Sequence, residues 1–124
     1  MTTSLRVLIV DDDQFVRSVL RDMLAPSGYQ CSEARDGVEA LERVRADCPD
    51  VVLLDLLMPN MSGIQVLEEI CRTHPRSRVV VITSLASDAL LARALAAGAS
   101  GYVVKPFHRI EIQEAVQHAL RAGA

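Results

Sequence analysis

Large rings are scarce in this chain: tryptophan is absent, and aromatic residues make up 3% of 124 positions. A core without them must be built from Val, Leu, Ile and Ala, a composition that suits parallel strands covered by helices. An excess of positive charge is missing too. Lys and Arg number 13 against 16 Asp and Glu, the formal charge is −3 and the pI is near 5.5. That balance leaves no electrostatic footprint for direct nucleic-acid binding. Cysteine is sparse and odd in number, with Cys31, Cys48 and Cys71 widely spaced and no C-x-x-C pair. Such thiols read as reduced and partly buried in a cytosolic protein. No apolar run approaches the ~20 residues of a membrane span, and Met1-Thr2-Thr3-Ser4-Leu5-Arg6 carries no basic region leading into a long apolar stretch; a soluble, cytoplasmic protein is expected. Gly37, Gly63 and Gly98 form neither G-x-G-x-x-G nor a P-loop, so a nucleotide site has no motif behind it. His74, His108 and His118 are spaced as surface or capping residues, not as metal ligands.

What is present is a rhythm. Short apolar runs alternate five times with segments of helical period, the pattern of repeated βα units in a parallel sheet. Strands are expected near 5–10, 30–33, 51–54, 79–82 and 101–104, with the first and third, the most apolar, at the centre. Between them run helical stripes: Val16, Val19, Leu20, Met23 and Leu24; Val38, Leu41 and Val44; Ile64, Leu67 and Ile70; Leu91 and Leu95; Ile112, Val116 and Leu120. Asp13 and Asp36 are placed to cap the first two helices. Pro26-Ser27-Gly28 closes the first helix, and Gly98 supplies a left-handed residue after the fourth. The length fits one domain over 1–124.

Polar residues recur at the ends of the apolar runs. Asp11 and Asp12 follow the first, Asp55 ends the third before Leu56-Leu57-Met58-Pro59, Thr83 ends the fourth and Lys105 the fifth. In an open parallel sheet these carboxyl ends bind ligands, beside the point where strand order reverses. Three carboxylates brought together there repel, by about 4 kcal/mol per pair at 4 Å and an effective dielectric near 20, so the site needs a cation. With oxygen ligands only, a hard ion such as Mg²⁺ is selected. A carboxylate beside Mg²⁺ and a lysine can attack phosphorus to give an aspartyl phosphate. Asp55, alone on its strand, is the best candidate for the nucleophile; Asp11 and Asp12 are better arranged to hold the ion; Lys105 and the Thr83 hydroxyl can meet phosphoryl oxygens. Each residue has a plainer reading: the aspartate run as a helix cap in a favourable dipole, Asp55 as a turn residue, Thr83 as an ordinary strand residue, Lys105 as a solvated charge. Four plain readings coinciding at strand ends is the less economical account.

Val10-Asp11-Asp12-Asp13, the stretch from Asp55 through Met58-Pro59-Asn60-Met61-Ser62-Gly63, Ile82-Thr83-Ser84, Ala97-Gly98-Ala99 and Tyr102-Val103-Val104-Lys105-Pro106-Phe107 occur in one order and spacing. In these pieces the chain resembles the receiver domain of bacterial two-component response regulators, from Val7 to about Leu120. The resemblance implies a doubly wound α/β fold of flavodoxin-like type, a five-stranded parallel sheet in the order 2-1-3-4-5 with five helices. It implies that Asp55 accepts phosphate from a histidine kinase or phosphotransfer protein, and that Mg²⁺ is held by Asp12, Asp55 and the Leu57 carbonyl, with Asp11 acting through water. A cis Lys105–Pro106 bond is implied as well. In the family Thr83, next to Ser84, shifts toward the phosphoryl group and lets the aromatic residue at the Tyr102 position turn inward, changing the surface of the fourth helix, fifth strand and fifth helix. Leu85, Leu90 and Ile110 make that surface unusually aliphatic, which hints at a partner or a homodimer. Leu57 and Leu85 stand where family members flank the attacking water; neither can orient it, so slow self-dephosphorylation is expected.

Two other readings compete. A phosphatase of haloacid-dehalogenase type also uses an aspartate nucleophile and Mg²⁺, but Asp11-Asp12-Asp13-Gln14-Phe15 departs from its Asp-x-Asp-x-Thr or Val pattern. A module that keeps only the fold is opposed by the intact Asp11, Asp12, Asp55, Thr83 and Lys105. The receiver itself would not be an enzyme with a separate substrate; it would catalyse only its own phosphorylation and dephosphorylation.

Overall fold

Strands apolar in both phases have to be covered on both faces, and the computed structural model, which describes residues 4–58, 61–85 and 87–122, shows how. Strands β1 (Arg6–Val10), β2 (Gln30–Ala34), β3 (Val51–Asp55), β4 (Arg78–Thr83) and β5 (Gly101–Val104) form one parallel sheet in the order β2-β1-β3-β4-β5. The helices are α1 (Gln14–Leu24), α2 (Gly37–Asp47), α3 (Gly63–Thr73), α4 (Asp88–Ala96) and α5 (Arg109–Ala122). The expected order and elements are found. β3 is central and β1 interior, as read; β4 is interior too, and the less apolar β2 and β5 form the edges.

The period of two along each strand divides the core. Val7, Ile9, Val51, Leu53, Val80, Ile82 and Val103 pack with Leu20 and Leu24 of α1 and Ile112, Val116 and Ala119 of α5. The opposite phase, Leu8, Val10, Val52, Leu54, Val79 and Val81, packs with Ala40 and Val44 of α2, with Ile64, Val66, Leu67 and Ile70 of α3, and with Ala94 of α4. Met23, Met58 and Met61 pack against these layers.

Local chemistry sets the element ends. Asp13 caps α1 by accepting from the Phe15 N–H at 2.9 Å, and Asp36 caps α2 by accepting from Glu39 at 2.8 Å. α1 is followed by a 3-10 turn, Ala25–Ser27, closed by Gly28 at φ +79°, and Gly98 after α4 has φ +115°. His108 precedes α5 and donates its backbone N–H to Glu111 Oε1 at 2.8 Å. Pro59 and Asn60 lie outside the described residues.

Four expectations need correction. Val38 and Leu95 are exposed, because α2 and α4 turn their alanines, Ala40 and Ala94, to the sheet; a small side chain brings the helix closer, and a stripe counted on large residues is off by part of a turn. Leu90, expected on an exposed surface, packs partly against the core. Cys31 and Cys71 are half-buried, but Cys48 is exposed, since it ends α2 in the left-handed region at φ +46°.

Candidate functional site

Strand phase decides which strand-end residues can meet. Asp11 continues the phase of Val7 and Ile9, Asp55 that of Val51 and Leu53, and Lys105 that of Val103, all on the α1/α5 face. The register holds β1 and β3 level, with Val10 beside Leu54, so Asp11 and Asp55 leave the sheet together at the reversal of strand order. Asp11, Asp12 and Asp55 each offer a carboxylate oxygen within 4.8 Å of the others'. Lys105 Nζ lies 2.9 Å from Asp11 Oδ2 and 3.3 Å from Asp55 Oδ2. The other oxygens of these two carboxylates accept from main chain: Asp11 Oδ1 from the Asp13 N–H and Asp55 Oδ1 from the Leu57 N–H, both at 2.9 Å.

Asp11 and Asp55 are buried and Asp12 is exposed. Burial raises the Asp55 pKa above the ordinary carboxylate value; the Leu57 N–H and the Lys105 charge pull it down, Asp11 pushes it up again, and the net direction is upward. Burial would lower the Lys105 pKa, but its hydrogen bond to Asp11 and the charges of Asp55 and Asp11 outweigh it and hold the ammonium above its usual value. In an isolated Lys–Asp pair the carboxylate would be depressed. Here burial outweighs the rest and one ammonium is shared by two carboxylates, so Asp55 stays hard to ionise and Lys105 stays charged.

Thr83 is fully buried at the end of β4; its Oγ1 accepts from the Leu85 N–H at 3.0 Å, and its carbonyl accepts from the Lys105 N–H at 2.8 Å. The Lys105–Pro106 bond is cis. Ser84, Leu57 and Leu85 are exposed around the site and Tyr102 is exposed on the edge strand. Among the described residues, neither Ser84 nor Tyr102 joins the hydrogen bonds around Lys105. Beside Lys105, Phe15, Val16, Val19, Met23, Pro106 and Phe107 line an apolar groove of about 260 Å³.

Two features escaped the sequence reading. Arg17 Nη1 donates to the Asp11 carbonyl at 2.6 Å while its Nε donates to Glu33 at 2.9 Å; the only hint was an arginine pair four apart on α1. Gly63 opens α3 where an added Cβ would stand 2.4 Å from Leu56 Cα, so the segment after Asp55 is packed directly on the helix start.

Comparison with known proteins agrees with this geometry. A family model described as the response regulator receiver domain matches residues 7–117. The chemotaxis protein CheY of Thermotoga maritima is 38% identical over 112 residues, covering 90% of this chain and 93% of that protein. The response regulator MprA of Mycobacterium ulcerans is 39% identical over 118 residues, and there the match covers 95% of this chain but 51% of the relative. A CheY-like receiver domain protein from Methanospirillum hungatei superposes with a TM-score of 0.92 at 27% identity, covering 98% of this chain and 97% of that one. With fold, strand order and sequence in accord, the chain belongs to the response regulator receiver domain family.

Proposed function

We propose that Asp55 is the phosphoacceptor, taking a phosphoryl group from a histidine kinase or phosphotransfer protein. The observation that carries this reading is the convergence of Asp11, Asp12 and Asp55 with the Lys105 ammonium at one end of the sheet. A carboxylate oxygen of Asp55 attacks phosphorus, the bond from phosphorus to the donor's imidazole nitrogen breaks, and that nitrogen keeps the electron pair. Lys105 meets the phosphoryl oxygens as their charge is redistributed, and the Thr83 hydroxyl and the main chain at Ser84 are at hand for the same oxygens. Water later attacks the acyl phosphate, returning the carboxylate and inorganic phosphate. The domain catalyses only these two steps on itself.

The donor set fits Mg²⁺: three carboxylates face a single ammonium, the ligands are oxygen throughout, and that combination suits a hard divalent ion. Asp12, Asp55 and the Leu57 carbonyl would hold it, Asp11 acting through water, and its chemistry there is to neutralise phosphoryl and carboxylate charge. The link outward runs through Thr83. Its carbonyl is bonded to the Lys105 N–H, so a shift of Thr83 toward a phosphoryl group pulls on the end of β5, Tyr102 turns inward and the α4-β5-α5 surface changes, for a downstream target or a second copy. The exposure of Tyr102 at 45% leaves that movement free to occur. No helix among the described residues is long and apolar enough to cross a membrane. The aspartate-nucleophile phosphatase reading finds no support in the comparisons.

Beryllium trifluoride, a phosphoryl mimic, tests the assignment. With Mg²⁺ it should shift amide resonances at Thr83, Tyr102 and Lys105 in the native protein and leave Asp55→Asn unchanged; an equal response in Asp55→Asn would place the acceptor elsewhere.

A further inference from the structure

Building on Asp55 as phosphoacceptor with Mg²⁺ beside it, we propose that Arg17 is a positioning residue for the metal-holding loop, setting where Asp12 stands by gripping the main-chain carbonyl of Asp11. Arg17 lies in the first turn of α1 with its side chain 14% exposed. Nη1 reaches back to the Asp11 carbonyl at 2.6 Å and Nε bonds Glu33 Oε1 at 2.9 Å. A guanidinium carries its donors in one rigid plane, so anchoring one edge on Glu33 aims the other edge at the carbonyl. Glu33 is itself held from a second side, by Arg21 Nε at 2.9 Å and Nη2 at 2.8 Å. Its backbone is fixed in β2 beside Ile9 of β1.

The gripped carbonyl belongs to the peptide that leads into Asp12. Asp11 and Asp55 each have one carboxylate oxygen tied to main chain and one beside Lys105. Asp12 is the exposed member of the cluster, and its place depends on the backbone that carries it. With the Asp11 N–H bonded to the Ala34 carbonyl at 3.1 Å, both polar main-chain groups at Asp11 are fixed, and the Asp12 carboxylate is delivered to the cluster without a contact of its own to Arg17.

Charge and position make opposite forecasts. Two arginines around one glutamate carry an excess positive charge, so if Arg17 acted only through its field, removing it would tighten Mg²⁺ binding. If it positions the loop, removal weakens binding. Partners that orient a metal ligand from behind typically change affinity 10–100-fold when lost, and the low end of that range is expected.

The experiment titrates Mg²⁺ into the full chain and follows the Leu57 amide by NMR. Arg17→Gln should raise the Mg²⁺ dissociation constant about tenfold, Arg17→Lys should recover part of that loss, and Arg21→Gln, which disturbs the ion pair without touching the Asp11 carbonyl, should stay close to the native value. At saturating Mg²⁺, Arg17→Gln should still bind beryllium trifluoride to full amplitude, a split between affinity and capacity that general unfolding would not produce. Equal or tighter Mg²⁺ binding by Arg17→Gln overturns the proposal. Should the Arg17 variants lose their circular dichroism, Glu33→Asp, which keeps the charge but draws the carboxylate back from the guanidinium, must weaken Mg²⁺ binding in the same direction or the proposal fails. A beryllium trifluoride response that survives Asp55→Asn overturns the phosphoacceptor reading itself, an outcome distinct from a native Mg²⁺ affinity that Arg17→Gln leaves intact.

Discussion

Lys105 Nζ stands 2.9 Å from Asp11 Oδ2 although the two residues are 94 positions apart and their strands, β5 and β1, are separated in the sheet by β4 and β3. The side chain crosses the carboxyl ends of the intervening strands and passes Asp55 on the way, at 3.3 Å. One cation thus serves two buried carboxylates, and the pocket keeps a surplus of negative charge.

That surplus has a cost that pH and metal should expose. Asp55 titrates above its ordinary value of 3.8, chiefly through burial, so the folded chain binds this proton more tightly than the unfolded one. The resulting stabilisation is complete below 3.8 and disappears as pH rises through the elevated folded value. Ionising Asp55 in the folded chain therefore costs stability. In a metal-free buffer at pH 7.5 Asp55→Asn should melt higher than the native protein, by roughly 3–6 °C for about 1–2 kcal/mol, with the gap closing on acidification toward pH 4. Added Mg²⁺ should raise the native melting temperature and leave Asp55→Asn nearly unmoved. A less stable Asp55→Asn at neutral pH would contradict the charge account.

The lifetime of the phosphorylated state should be long. Leu57 and Leu85 are 47% and 49% exposed at the site, and Leu85 is held beside Thr83 by its own N–H. Neither side chain can hydrogen-bond a water and aim it at phosphorus. Leu57→Asn combined with Leu85→Glu should shorten the acyl-phosphate half-life about tenfold, the equivalent of ~1.4 kcal/mol of barrier. Decay of the label after donor removal measures it, and a lifetime unchanged or lengthened counts against the idea.

Phe15, 74% exposed, borders the apolar groove that Pro106 and Phe107 share with α1. An exposed ring bordering an apolar groove beside the acidic cluster is a candidate contact for the phosphodonor. Phe15→Asp should slow phosphotransfer from a histidine-phosphorylated donor by roughly 30-fold, as loss of an aromatic anchor of ~2 kcal/mol would. Labelling by acetyl phosphate should be little changed. Equal losses with both donors would relocate the effect from docking to chemistry.

Gly63 is required by space. The methyl of an alanine there would stand 2.4 Å from Leu56 Cα and 2.6 Å from its carbonyl oxygen, and main chain cannot rotate aside as a side chain can. Gly63→Ala should cost about 2–3 kcal/mol, toward the upper part of the range for overpacking, read as a lowered urea midpoint. An unshifted midpoint would mean that the two segments are looser than they stand here.

Much of this molecule is written locally. The alternation of apolar residues marked five strands, and Asp13 and Asp36 announced the helix starts they cap, because caps and strand periods depend on near neighbours. The stripes of α2 and α4 were misplaced where alanine, apolar but small, does the packing at Ala40 and Ala94. The Arg17 grip left only the spacing of Arg17 and Arg21 as a hint: its acceptors are a main-chain carbonyl and a glutamate on strand β2, and in one dimension the two arginines look like solvated charges on a helix.

By itself, the order of residues determined that Asp11 continues the phase of Val7 and Ile9, Asp55 that of Val51 and Leu53, and Lys105 that of Val103, since a pleated strand alternates sides whatever its neighbours do. Tertiary structure alone decided that these side chains meet, with Lys105 reaching past Asp55 to Asp11. Strand order and register are set by how whole faces pack, and the separation between side chains from different strands is a property of that packing, not of any one segment.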